Sequence, residues 1–220
     1  VKLLVSGSTQ SVAKFMVLRP DRVGVLLTPA DRHREWWPAD TCWACDNECF
    51  SGLDAPSYLR MLAKVAKFKS RPQWVACPDV VADVGATWAN WFKWRPVLDA
   101  LDLPAALVLQ DGLEKFKWRG PLPSEWDRID AVFVGGSTEF KLSDHAARLT
   151  LEAHERGKLC HWGRVNSRRR LRFLIHEMQA GRCWVDTVDG SGWSKFAEAR
   201  IPLFLRWVDA AFRHQQPTMF

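Results

Sequence analysis

Ala131-Val132-Phe133-Val134-Gly135-Gly136-Ser137, then residues 143–156, then Gly157-Lys158-Leu159-Cys160-His161-Trp162-Gly163 form the stretch that decides the fold. The first run is short, apolar and ends on glycines, as a strand buried on both faces should be. Residues 143–156 set Ala146, Ala147, Thr150 and Ala153 at helical spacing with charges opposite, which predicts an amphipathic helix. Leu142-Ser143 reads as its start and Gly157 as its stop. A second apolar run, 158–162, follows at once. Strand, helix, strand in that order is a unit of a parallel sheet.

Outward from this unit the pattern recurs. Apolar runs stand at 2–6, 23–28, 41–45, 74–77, 105–109, 131–134, 158–162 and 183–186, eight in all. Helical patterns lie at 56–68, 84–101, 143–156, 167–180 and 194–212, while 31–40 and 116–126 show no long helix. Asp54-Ala55-Pro56 is a further helix start, and Gly181 a further stop. The predicted fold class is therefore α/β, a compact (β/α)8 TIM-type barrel spanning 1–220 as one domain. An open doubly wound sheet is the alternative, but no Gly-x-Gly-x-x-Gly follows the first strand.

Composition narrows the class. With 220 residues, 47% hydrophobic and 25% charged, the chain has the makeup of a globular domain, which removes disordered and collagen-like readings. No apolar run approaches the roughly 20 residues of a membrane span, and the first residues are too short an apolar stretch for a secretory signal. A cytoplasmic protein without membrane contact is expected. The net charge of +6 and the 13 tryptophans against one tyrosine stand out. Six cysteines are too few for a disulfide scaffold. Cys42, Cys45 and Cys49 have a metal-like spacing, but only Cys160-His161 offers a partial complement, so buried thiols and no metal are expected.

Barrel active sites lie at the C-terminal strand ends. On this strand assignment those ends read Cys45-Asp46-Asn47-Glu48, Cys77-Pro78-Asp79, Gln110-Asp111-Gly112, Gly135-Gly136-Ser137, Gly163-Arg164-Val165-Asn166 and, for the eighth, Val185-Asp186-Thr187-Val188-Asp189-Gly190. Asp46, Asp79 and Asp186 form a carboxylate trio. Without a metal it suits glycosyl transfer, one carboxylate attacking an anomeric carbon while another moves protons on the leaving group. Single acids after strands are as often caps or turn residues. His161, one residue before Trp162, is expected to point away from this mouth.

The loops after strands seven and eight are where such barrels bind phosphate. Arg164 lies in the loop itself, Asn166 or Ser167 caps the next helix, and Arg168, Arg169 and Arg170 open it. Basic runs are usually solvated faces; this one sits beside the expected mouth, where a nucleic-acid backbone is a natural partner. Trp162 and Trp193 flank it as candidates for stacking on a base; Trp36, Trp37 and Trp118 fall in loops.

Asp46-Asn47-Glu48-Cys49-Phe50, Pro78-Asp79, Val108-Leu109-Gln110-Asp111-Gly112, Val134-Gly135-Gly136 and Val185-Asp186 together resemble, in order, the motifs of the tRNA-guanine transglycosylase superfamily, closest to its phage branch of DNA-guanine transglycosylases. The resemblance spans about residues 41–192. It implies a pentosyltransferase that exchanges a guanine or 7-deazaguanine base in DNA or tRNA without a cofactor. Asp186 would be the nucleophile at C1′ and Asp46 the general acid and base. Asp79 would read the N1-H and 2-amino edge, and Gln110 with Gly135 and Gly136 would contact the base carbonyl. Arg164, Asn166, Ser167, Arg168, Arg169 and Arg170 would meet the nucleic acid. Three departures qualify the match: Glu48-Cys49 stands where the family has Gly-Gly after the first Asp, and Asp189-Gly190-Ser191 replaces the family's Pro-Thr-Arg, making Asp189 a rival to Asp186. No Cys follows Cys183, so the family's C-terminal zinc subdomain is not expected.

Two other classes stay open: a hydrolytic N-glycosidase using the same carboxylates on a nucleoside or nucleotide, and a non-catalytic barrel that binds nucleic acid or protein. The oligomeric state stays open too, a homodimer included.

Overall fold

The structure, a computed structural model, describes residues 1–7, 9–113 and 123–212. Among the described residues eight parallel strands close into a barrel in chain order: β1 (Lys2–Val5), β2 (Val23–Leu27), β3 (Trp43–Cys45), β4 (Val75–Ala76), β5 (Ala105–Leu109), β6 (Ala131–Val134), β7 (Leu159–Trp162) and β8 (Thr187–Asp189). β8 pairs back onto β1, Val188 opposite Leu3 and Asp189 opposite Leu4, so the sheet has no edge. The (β/α)8 architecture is the one the sequence predicts.

Helices follow most strands: α1 (Gln10–Leu18), α2 (Ala55–Val65), α3 (Val84–Ala100), α4 (Thr138–Lys141), α5 (Asp144–Glu155), α6 (Arg168–Gln179), α7 (Ser191–Lys195) and α8 (Ala197–Phe212). Their starts are chemically marked. Asp54, Ser143 and Ser167 accept hydrogen bonds from the backbone N–H groups of Ser57, Ala146 and Arg170, relieving orphan donors of the first turn. Gly157 and Gly181 end α5 and α6 at φ of +72° and +67°, where a side chain would be strained. No helix separates β2 from β3, as expected for 31–40. A 3-10 segment, Pro123–Arg128, precedes β6; Trp118 and the rest of that connection lie outside the described residues.

Side-chain alternation splits the core in two. Leu4, Leu26, Ala44, Trp74, Ala76, Ala106, Val108 and Ala131 fill the barrel with Phe133 and Leu159 against them. Their neighbours along the strands, such as Leu3, Val25, Cys45, Leu107, Val132 and Trp162, pack outward under the helices. The barrel filling is uneven in size, one fully buried indole among four alanines, which is how a tapered interior reaches interior packing density. Trp74 meets Phe133 edge-on at 5.6 Å and the His161 ring at 4.6 Å. Its truncation leaves a hole that alanines cannot close. Trp74→Ala is therefore expected to lower stability by roughly 3–5 kcal/mol, read as a drop in the urea midpoint.

The eighth strand corrects the sequence expectation. The apolar run places it at 183–186, but the ladder runs over Thr187–Asp189. Cys183 and Val185 are indeed buried, and Trp184 stacks on His154 of α5 at 3.5 Å, so this stretch is apolar because it packs outside the ladder. In β8 itself the inward positions carry polar groups, Thr187 meeting its register partner His161 on the neighbouring β7. A continuous apolar run was the wrong signal for such a strand.

Candidate active site

Inward-facing strand positions, carried two residues further, define the mouth. After Leu4, Leu26, Ala44, Val108, Phe133, His161 and Thr187 come Ser6, Thr28, Asp46, Gln110, Gly135, Gly163 and Asp189. All seven line one cavity of about 460 Å³ at the C-terminal end of the barrel, together with Asn47, Asp79, Gly136, Lys141, Arg164 and Asn166.

One wall is a fixed hydrogen-bonding array. Asn47, 4% exposed, gives its amide hydrogens to the Cys77 carbonyl and to Asp79 Oδ1, both at 2.7 Å, and accepts from the Cys49 N–H. Gln110, 1% exposed, accepts from the Ala82 N–H at 3.1 Å, which orients its amide so that Nε2 donates to Asp79 Oδ2. Asp79 thus holds one donor on each oxygen and keeps lone pairs on both for a ligand. Burial pushes its carboxyl up, and the Asn47 and Gln110 donors oppose that. The glycines are required here. A side chain on Gly135 would strike Val108 and Gln110, and one on Gly136, at φ +74°, would strike Asp111.

Two carboxylates face each other across the mouth in different surroundings. Burial, then the charge of Asp189, pushes Asp46 up to about 7, against a backbone hydrogen bond from Asn47 at 2.8 Å. Asp189 accepts from the Arg164 N–H at 2.7 Å and pairs with His161 Nε2 at 3.2 Å. Lys141, 6% exposed, donates to the Gly136 carbonyl at 3.0 Å; burial brings its ammonium down to about 8 despite Asp189. An acid near neutrality beside an anion with its own donors is the division of labour that acid–base and nucleophilic chemistry needs.

Of the residues singled out in the sequence, Asp46, Asp79, Gln110, Gly135, Gly136, Arg164 and Asn166 meet at this mouth. Asp186 does not. It precedes β8, lines a cavity of about 900 Å³ at the opposite rim with Lys2 and Cys42, and accepts from the Cys160 N–H and Trp184 Nε1 at 2.8 and 2.9 Å. The shift of β8 by one short segment moves the eighth strand's acid from Asp186 to Asp189.

The arginine segment divides. Ser167 caps α6, while Asn166 accepts from the Gly192 N–H. Arg164 lies over the exposed Phe50 ring at 3.7 Å, and Arg168 faces Trp207 at 5.4 Å. Arg170 reaches back to the Arg164 carbonyl and Thr138 hydroxyl, and Arg169 is exposed. Trp162 and Trp193 are buried, their indole N–H groups bonded to the Trp184 and Val165 carbonyls, so neither can stack on a base. Trp37 likewise packs on Trp43 and Phe68. Cys42 lines the far cavity and Cys49 the mouth, so the cysteine cluster shares no site, and among the described residues no group of three His, Cys, Asp or Glu is placed to hold a metal. No described helix is long and apolar enough to cross a membrane.

Sequence reasoning missed Asn47, Lys141 and His161. His161 was expected to point away; it points into the barrel because Trp162, its neighbour on β7, takes the outward position. Compared with models of protein families, curated proteins and solved structures, the chain matches none.

Proposed function

We propose that the protein is a glycosyltransferase that exchanges a guanine-like base in nucleic acid, with Asp189 as nucleophile and Asp46 as general acid and base. The observation that carries this reading is the pairing of Asp46, pushed up to about 7, with the hydrogen-bonded Asp189 beside an Asp79 presented by Asn47 and Gln110. A carboxylate with both oxygens oriented matches two adjacent N–H donors, such as the N1-H and 2-amino group of guanine. The second Nε2 hydrogen of Gln110 is then available to the base carbonyl. The cavity, about 460 Å³, is of the size that encloses small ligands.

The chemistry balances on these residues. An Asp189 oxygen attacks C1′ as the C1′–N bond to the base breaks, and the electron pair leaves with the base. Protonated Asp46 supplies the proton. In the second half a new base gives its proton back to Asp46, and its nitrogen displaces Asp189 from C1′. Arg164 at the mouth and the exposed Arg169 in the first turn of α6 suit the flanking phosphates, and the net charge of +6 suits a polyanion.

The test is incubation with DNA or with tRNA and labelled guanine or 7-deazaguanine. Label entering one of the polymers supports the reading and identifies the polymer. Release of free base without incorporation selects the hydrolytic alternative, and binding without either reaction selects a non-catalytic barrel.

A further inference from the structure

Beneath the mouth lies a polar chain that the proposed chemistry has not used. His161 is wholly buried inside the barrel, where apolar filling is the rule. Its ring packs against both Trp74 and Phe133, each 4.6 Å away and tilted by about 50°. Nδ1 meets Thr187 Oγ1 at 2.8 Å, and Nε2 meets Asp189 Oδ1 at 3.2 Å. A carboxylate anion only accepts, so Nε2 must carry the proton. Nδ1 then has only a lone pair, and the Thr187 hydroxyl must donate to it. Burial disfavours the imidazolium, which leaves the ring neutral in this one tautomer.

The chain ends on one oxygen. Oδ1 of Asp189 takes both the His161 hydrogen bond and the Arg164 N–H, and among the described residues no hydrogen bond reaches Oδ2. Two donors on one oxygen fix the plane and direction of the carboxylate and leave the other oxygen free.

We infer that His161, itself oriented by Thr187, is the positioning residue that presents Oδ2 of Asp189 to the sugar carbon. This rests on the reading of Asp189 as nucleophile. His161 touches no substrate; it acts from inside the barrel by holding the carboxylate in its attack geometry.

Two measurements separate this inference from the function reading. Nitrogen-resolved NMR of the labelled imidazole should show Nε2 protonated and Nδ1 bare from pH 6 to 8, with the Nε2 resonance displaced in Asp189→Ala. In the exchange assay, His161→Leu should lower kcat by about 100-fold with KM within about twofold. His161→Gln, whose amide can donate from nearly the place of Nε2, should recover most of the loss. Thr187→Val, a smaller change, should show a partial kcat loss and mobilise the tautomer even if His161→Leu fails to fold. Protonation at Nδ1, a cationic ring at pH 7, or parental kcat in a folded His161→Leu would overturn the inference. If the parent exchanges no base, the function reading falls, while the imidazole tautomer still decides whether His161 holds Asp189.

Discussion

Asp189→Asn is expected to abolish base exchange, by at least roughly 10³-fold in kcat, whereas Asp186→Asn keeps it. The contrast follows from strand phase. Thr187 and Asp189 face into the barrel and its mouth, so Asp186, an odd step away and before the strand begins, faces elsewhere. The asparagine at 189 can keep its Oδ1 against the Arg164 N–H and His161, but an amide NH2 then stands in the place of Oδ2, so no anionic oxygen is left to bond C1′. At 186 the damage is structural. Two N–H groups, from Cys160 and Trp184, donate to different carboxylate oxygens, and asparagine can satisfy only one of them. A cost of about 1–3 kcal/mol in stability is expected, seen in urea denaturation, with turnover per folded molecule unchanged.

Asp46→Asn is expected to stabilise the protein above neutral pH while destroying its activity. Burial and the Asp189 charge raise the Asp46 carboxyl from 3.8 to about 7. Between these values the folded protein holds a proton that the unfolded chain has released, so stability falls as pH rises through this window. Above pH 7 the full cost of the buried charge is present, an upper limit of about 4 kcal/mol at roughly 1.4 kcal/mol per pH unit. Asparagine keeps an oxygen for the Asn47 N–H and carries no charge, so the variant melts higher than the parent at pH 8 and close to it at pH 4. The same substitution removes the proton that the leaving base takes. In the parent, base departure slows above about pH 7 as Asp46 loses that proton; in Asp46→Asn it is slow throughout. Thermal melts at pH 4 and 8, with exchange assays across the range, check both halves. The site is thus expected to be a place where stability is given up for chemistry.

The barrel was legible because seven of the eight strands lie within the short apolar runs that the sequence shows. β5 and β6 are apolar on both faces, matching their place between barrel filling and helices. β8 is the exception because its inward face belongs to the polar chain of His161, Thr187 and Asp189, and the apolar signal slid to 183–186. The error in the site has that same origin. Asp46, Asp79, Gln110 and the two glycines were readable from strand ends, since each follows a correctly assigned strand. Lys141 was not, because it belongs to the four-residue helix α4 and meets the mouth only through the turn that brings it to the Gly136 carbonyl. Asn47 stands at a strand end with no role assigned from the sequence, yet it braces Asp79 from a neighbouring strand end, a contact made only when β3 and β4 pair. The tryptophan excess resolves mostly into packing: Trp74 inside the barrel, and Trp43, Trp91 and Trp162 fully buried around it.

The most direct test of the account is to trap the covalent intermediate and locate it. The protein is mixed with its nucleic-acid substrate without a second base, quenched in denaturant, digested, and the nucleotide-bearing peptide sequenced by fragmentation mass spectrometry. The account predicts a sugar ester on Asp189, absent from Asp189→Asn and present in Asp186→Asn. An ester on Asp186 or Asp46, or base exchange that proceeds in Asp189→Asn, would contradict it.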